Sequence, residues 1–574
     1  MLGPLENLVN TQRTTFTLAD TLLLRATTPN VLLAGFGRCL RKSVGGIGNV
    51  AEVPDDDYAK SFNVKDIDFF LSHSWHASWL NKYSTLLIYF NALPSIVVTS
   101  LVVGVTAGVL MSDSPFWLRK EPTCKCTWKF DGIYPCFEIL GSITFIITMV
   151  SWHHILALLR RRPTLFLDKV CIHQTDAELK VRGIKSIGAV LANSKVLLVA
   201  WDESYFQRLW CTYEISAFSH ASPQGKIKVL PVALGEFVMA YTIGVACADI
   251  ALFISTHFAV GEKGEAIQDW MYFGLSALFH FPFYVVASRS LIRYMHSLGQ
   301  LKTQMAEFSV LHAQCFCCTN NHRHPDTGQV LPCDRELVNA SIEHWMGLDI
   351  FDHLVRGQFK YFVKCTLGGW AKIPYYFALV ASIFPGLATL DVMYASRNKA
   401  NITRILFVLE ATFLRHPMII GIGLAVVRRF ASPVQLQFET LLARFCGCTA
   451  RRKTLSKMGI DFSAGMVFTG VYFVLLITST ALAHYQEKDE RFTIWLDLWR
   501  LFQALAVYYL YRSRRQQHDG PAPTVNGAAR QAGGEVEMTS APPSPSRPDS
   551  VVRRAITGPS PPPGWKRPLR MTAF

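Results

Sequence analysis

The chain has 574 residues, 50% of them hydrophobic and only 17% charged, with a mean hydropathy of +0.22; this excludes an ordinary soluble multidomain protein and points to a polytopic membrane protein with room for several modules. The net charge of +15 does not make nucleic acid the expected partner, because Lys and Arg sit mostly in loops beside apolar runs and in the tail, and no base-reading motif accompanies them. Anionic headgroups of a lipid bilayer fit that distribution.

The first segment, 1–65, is expected to be cytosolic. Its start, "MLGPLENLVNTQRTTF", has no basic region followed by a short apolar core and a small-residue cleavage site, so the first membrane helix is expected to direct insertion. From 66 to 83 the chain gives an acidic turn, an apolar run Ile67 to Leu71, and then Ser72, Ser74 and Trp75, the pattern of a buried strand ending in a Ser-rich loop.

Eight stretches approach the ~20 apolar residues that a bilayer-crossing helix needs. They are 84–111, 133–158, 236–259, 269–292, 373–396, 402–427, 462–484 and 492–511. The last contains Asp497 and Arg500, and a charge at mid-bilayer costs ~2.5–3.5 kcal/mol, so these must pair, lie near an end or mark an interfacial helix. Basic clusters follow the second span (Arg160 to Arg162), the sixth (Arg428, Arg429, Arg451, Arg452) and the last (Arg512, Arg514, Arg515). The positive-inside rule then places both termini in the cytosol, consistent with an even number of crossings. The basic loop "SDSPFWLRKEPTCKCTWKFDG" argues against this; if it is nevertheless outside, Cys124, Cys126 and Cys136 are either disulfide partners or free thiols. The other cysteines among the fourteen show no secreted-domain spacing, and most are expected to be reduced thiols on the cytosolic side or buried in lipid.

The segment 159–235 alternates strands and helices. Strand Thr164 to Leu167, helix Asp176 to Asn193, strand Val196 to Trp201, helix Ser204 to His220 and strand Ile227 to Leu234 are expected. Continuous apolar strands in this order predict a parallel sheet covered on both faces, whose ligands sit at the strands' carboxyl ends. Those ends carry Ser72, Ser74 and Trp75, then Asp168 to Gln174, then Asp202 to Tyr205.

Here "FLSHSW", "LFLDKVCIHQTD" and "KVLLVAWDESYFQRLWCTYEISAF" resemble, in order, the first strand, the second strand with its loop, and the third strand with its helix of a TIR (Toll/interleukin-1 receptor) domain, and "IKVLPVAL" resembles the fourth strand. The Asp-x-x-Cys-Ile-x-Gln pattern is also similar to the related HET (heterokaryon incompatibility) domain. The resemblance implies a small α/β, flavodoxin-like sheet split into 66–83 and 159–235 by the transmembrane hairpin 84–158, and signalling by self-association. Many TIR domains cleave NAD between nicotinamide and ribose through the glutamate of the Trp-Cys-x-x-Glu helix. Carried over, Glu214 is the catalytic candidate, and Ser72, Ser74, Trp75, Asp168, Lys169 and Trp210 are the nucleotide-binding candidates. A carboxylate against the ribose would stabilise an oxocarbenium-like transition state. Other TIR domains only bind partners. Phe206, Leu209, Trp210, Tyr213 and Ala217 also form an apolar helical stripe, with Glu214 on its flank. Cys171 and Cys211 lack a demonstrable adjacent base and are expected to be packed thiols.

Transmembrane helices 3 and 4 (236–292) lead into a cytosolic linker, 293–372. Here Cys315, Cys318, His322, His324 and Cys333 are candidate zinc ligands, with Cys317 within reach; reduced or S-acylated thiols are the competing reading. Helices 5 to 8 span 373–511. The tail 512–574, rich in Pro, Gly and Ser, cannot bury a core, and its "SPPPGW" is either a polyproline ligand or plain flexible chain. No repeat, Walker loop, GxGxxG or HExxH occurs. The expected function is a multi-pass membrane protein whose cytosolic TIR-like module signals by self-association, senses a nucleotide or hydrolyses NAD. The alternative is a channel or transporter regulated by that module, for which His153, His154, Asp249, Asp391, Glu410 and His416 are the sparse intramembrane polar groups.

Overall fold

The computed structural model describes residues 20–41, 56–111, 136–158, 163–222, 225–260, 269–323, 333–359, 373–395, 408–443, 449–488 and 490–512, together with Phe16, Leu18, Gly328, Val330 and Leu406. Cys124, Cys126, His324 and the tail beyond 512 lie outside them.

Strands β1 (Arg25–Ala26) and β2 (Phe62–Asn63) form a short antiparallel pair. Four further strands, β3 (Ile67–His73), β4 (Leu165–Phe166), β5 (Ser194–Trp201) and β6 (Lys226–Pro231), form one sheet in the order β4-β3-β5-β6, every pair parallel. The register sets Phe69 beside both Leu165 and Val196, and Leu198 beside Lys228. Strands this apolar need cover on both faces, and the chain supplies it. Phe69 meets the rings of Tyr89 and Phe90 from the first long helix, while the helix Leu209–Ala221 packs on β3 and on the helix Ile187–Ala192. Thr27 exchanges both backbone hydrogen bonds with Leu165, which joins the N-terminal segment to the sheet edge.

Among the described residues, six helices are long and apolar enough to cross a bilayer: Trp79–Val109, Phe137–Leu158, Val232–Leu252, Gly274–Ala306, Val408–Val427 and Leu455–Ser479. This is consistent with an integral membrane protein. Leu93, Leu101 and Val105 on the first and Ile143, Ile147 and Val150 on the second are exposed apolar side chains, as lipid-facing residues would be. Two expected spans differ. The stretch 373–396 is two helices, Tyr375–Ala381 and Ile383–Ala395, meeting at Ser382. Pro385 has no N–H to donate and its ring would strike the carbonyl of Ala381, so it is accommodated only in the first turn of a new helix. The Thr493–Tyr511 helix is long enough but less apolar than these six, with Asp497 and Arg500 paired at 2.9 Å.

The first two membrane helices lie in sequence between β3 and β4, and the sheet closes across them. Helix Trp79–Met111 has 33 residues, about 50 Å against a hydrocarbon core of ~30 Å. Its first turns pack on the sheet, where Lys228 Nζ donates to Tyr89 OH at 3.2 Å, and on the start of the helix Val232–Val260, where Thr85 Oγ1 donates to Val232 O at 3.0 Å and accepts from Gly235 N at 3.2 Å. The helix Val232–Val260 starts directly where β6 ends, and among the described residues no fifth strand joins this sheet.

Other local expectations shift. β3 runs on to His73, past the expected Leu71, and the strand expected at Thr164 to Leu167 is reduced to Leu165–Phe166. Asp168–Cys171 is a single helical turn at the start of the expected loop. The helix expected over Asp176–Asn193 breaks at Ser186, whose hydroxyl bonds back to Arg182 O. The helix expected from Ser204 begins as a short 3-10 turn, Tyr205–Gln207, before Leu209. The strand expected to reach Leu234 ends at Pro231. The Asp269–Ala306 helix continues well past 292 into the linker.

Candidate functional site at the carboxyl edge of the sheet

In chain order the sheet is arranged second, first, third, fourth, so connections leave in opposite directions from the adjacent carboxyl ends of β3 and β5. In doubly wound sheets that point is where a crevice opens. Ser72 and His73 close β3, and Asp202 to Tyr205 follow β5.

Into this point the Leu209–Ala221 helix delivers Glu214. Ser72 Oγ donates to Glu214 Oε2 and lies 2.5 Å from the hydroxyl of buried Tyr205. With the carboxylate ionised, the chain of donation runs from Tyr205 to Ser72 to Glu214. Burial is the main influence on the Glu214 carboxyl and pushes it up to about 8; the Ser72 hydrogen bond opposes the rise, and nearby Asp168 adds to it. Burial likewise raises Tyr205 well above the usual phenol range.

A second cluster adjoins. Trp75 Nε1 donates to Asp168 Oδ2 at 3.1 Å, and His73 Nε2 lies 3.8 Å from Asp168 Oδ1. The His73 ring meets the Trp75 ring edge-on at 4.5 Å. Burial drives His73 down to about 4 against the pull of Asp168, so it is neutral at physiological pH. Neither His73 ring nitrogen has a hydrogen-bond partner among the described residues. The foot of the first membrane helix supplies Lys82, whose Nζ donates to Ser74 O at 3.2 Å and stands 5.1 Å from the Trp75 ring centroid. The Ser74 hydroxyl is 2.7 Å from that of Ser204, which donates to Asp202.

The structure therefore brings together Ser72, Glu214, Ser74, Trp75 and Asp168 from the expected set. Two members point elsewhere. Lys169 Nζ donates to Arg41 O in the N-terminal segment, and Trp210 Nε1 donates to Asp334 Oδ2 at 3.2 Å. Tyr205 lies in the Asp202 to Tyr205 stretch expected at this edge, whereas His73 and Lys82 were not foreseen as site residues. His73 stands inside the quoted "FLSHSW", but Lys82 is placed by the helix start, which hydropathy set at 84. Cys171 and Cys211 are buried, and burial pushes the Cys171 thiol up to about 12 and Cys211 well above its usual range; neither is a ready nucleophile.

Away from this edge, the sulfurs of Cys317, Cys318 and Cys333 and a ring nitrogen of His322 lie within 4.8 Å of one another. Cys315 is not in that set, although its sulfur is 3.4 Å from that of Cys317. Compared with family models, curated protein sequences and solved structures, the chain matches none of them.

Proposed function

We propose that this is a multi-pass membrane protein whose cytosolic TIR-like module binds NAD at the carboxyl edge of the sheet and cleaves its nicotinamide–ribose bond with Glu214. The observation that carries the reading is the Glu214 carboxyl, buried at the β3/β5 switch point and held by Ser72. The strand order supports it, being the flavodoxin-like order that TIR domains share.

In the reaction the C–N bond breaks with its electron pair going to the pyridinium nitrogen, so nicotinamide leaves neutral. Positive charge develops on the ribose, where a carboxylate stabilises it. Water then adds to the anomeric carbon and its proton passes to Glu214 or to solvent. Ionised Glu214 is the active form, and the cationic nicotinamide ring favours that form on binding.

Self-association accompanies the activity in this reading, since membrane confinement raises the effective concentration of neighbouring modules. Eight crossings, with the broken Tyr375–Ala395 segment and the Thr493–Tyr511 helix as the additional two, keep both termini on the side of the sheet. The test is nicotinamide release from NAD by the full chain in vesicles containing anionic lipid. Wild type is expected to release it and Glu214→Gln to lose at least about a hundredfold of the rate; absence of turnover in folded wild-type protein at every surface density would remove the catalytic reading.

A second reading, a channel or transporter governed by the same module, is favoured by one cluster in the helical part. Asp249 and His280 pair at 3.1 Å in the protein interior, His280 stacks on Tyr472 at 5.4 Å, and His416 lies 6.1 Å beyond that ring. Ionisable groups so buried between membrane helices suit a proton path. It predicts proton flux across vesicles under an imposed pH gradient, abolished by Asp249→Asn; equal leak in both proteins rules it out. His153 instead bonds Asn91 at 2.9 Å and ties the first two membrane helices together.

A further inference from the structure

We infer that Cys317, Cys318, His322 and Cys333 hold one zinc ion, and that this site clasps the linker onto the helix that carries Glu214. Three thiolates and an imidazole are a donor set for tetrahedral zinc. The four donor atoms converge although they come from two separate stretches of chain. A Zn–S bond of ~2.3 Å gives a tetrahedron edge of about 3.8 Å, and Cys318 Sγ and Cys333 Sγ lie 3.9 Å apart.

Local backbone is arranged to bring them there. Cys317 and Cys318 occupy one helical turn, Phe316–Thr319. The chain then reverses through Asn321 and His322, two successive non-glycine residues in the left-handed region with φ of 51° and 55°, and His322 N closes onto Cys317 O at 2.7 Å. Cys333 caps the helix Asp334–Trp345 from the other side. The Asp334 N–H points at Cys317 Sγ at 3.3 Å, an outer hydrogen bond of the kind that holds thiolate ligands in place. The set would leave one net negative charge on the complex, and Arg335 lies beside the Cys318 sulfur to balance it.

The cluster does not stand alone. Its leading residue Gln314 pairs with the start of the Glu214 helix, donating to Gln207 O at 2.6 Å and accepting from Leu209 N at 3.0 Å. On the trailing side Asp334, next to ligand Cys333, accepts from Trp210. Both strands of the linker that the metal ties together therefore hold the helix bearing Trp210 and Glu214. The inference requires no NAD chemistry and stands whether or not Glu214 is catalytic.

The test is metal content of the full chain, purified in detergent under reducing conditions with added metal removed. One zinc per chain is expected in wild type and in Cys315→Ser, and a loss of most of it in Cys333→Ser and His322→Ala. Because a ligand variant could fail to fold, wild type is also exchanged with cobalt, which should give visible d–d bands and a thiolate-to-cobalt charge-transfer band in the near ultraviolet. No zinc and no cobalt bands in wild type overturns the site. Zinc kept by both Cys333→Ser and His322→Ala overturns the ligand set. The clasp is read by hydrogen exchange: removing zinc from wild type should raise exchange in 209–221, and unchanged protection there contradicts it.

Discussion

Glu214 joins a helix to the end of a strand through a single hydroxyl, and its protonation is where the account is most exposed to test. Its carboxyl titrates near 8 in the folded protein against an ordinary 4.5. A pKa raised by folding means the native state binds the proton more tightly, so its contribution to stability is full below 4.5 and is lost as pH climbs through 8. Melting temperature should therefore fall between pH 5 and 8.5 in wild type more than in Glu214→Gln; parallel curves would show that the carboxyl is not buried as described. Ser72 opposes that rise, so Ser72→Ala should move the titration of Glu214 further upward, measurable by the same pair of curves. Glu214 and Ser72 were legible in the sequence because motif and strand end coincide there. Lys169 and Trp210 carry the same motif weight, but their directions depend on Arg41 and Asp334, partners 128 and 124 residues away along the chain, which no local pattern encodes.

At the level of elements, the junction between sheet and membrane rests on close backbone approach. A Cβ at Gly235 would meet the Thr85 backbone nitrogen at 2.5 Å, where helices Trp79–Met111 and Val232–Val260 cross. Gly235→Ala should cost about 1–3 kcal/mol as overpacking, seen as a lowered melting temperature with the span count unchanged; an unchanged melting temperature would mean the two helices do not meet there. Just below, Glu236 accepts from Asn81 at 3.0 Å and from Ser290 at 2.9 Å and pairs with Arg293, linking three helices. Glu236→Ala leaves these donors unmet and should destabilise by about 1–3 kcal/mol, read in the same melting experiment; Glu236→Gln, which keeps acceptor capacity, should do less harm. The strands and most helices were legible from period and apolarity. The breaks at Ser186 and Ser382 were not, because one residue leaving the helix barely disturbs an eleven-residue or longer pattern of hydrophobicity.

Over the whole molecule, the parallel sheet is formed by segments on both sides of a hairpin of two helices apolar enough to cross a bilayer, so a crossing by both would leave β3 and β4 on one side of it. Tags placed at the two termini, and a probe in the 209–221 region, should all be reached from one face of sealed vesicles; a C-terminal tag on the opposite face would refute the even number of crossings. Composition alone made the membrane character legible, since half the chain is apolar. The number of crossings is harder to read, because the proline in the Tyr375–Ala395 segment and the Asp497–Arg500 pair in the Thr493–Tyr511 helix are local features that mean apolarity does not register. The helix Trp79–Met111, long and apolar enough to enter a bilayer, begins at the sheet edge, where Lys82 contacts Ser74, so that edge and the apolar stretch belong to one continuous helix.

The most direct measurement is the rate of nicotinamide release from NAD by the full chain in proteoliposomes, followed from pH 6 to pH 9.5. With ionised Glu214 as the active form, kcat/KM should rise with pH through an inflection near 8 and be abolished across the range by Glu214→Gln. A flat profile, or activity surviving that substitution, would contradict the account.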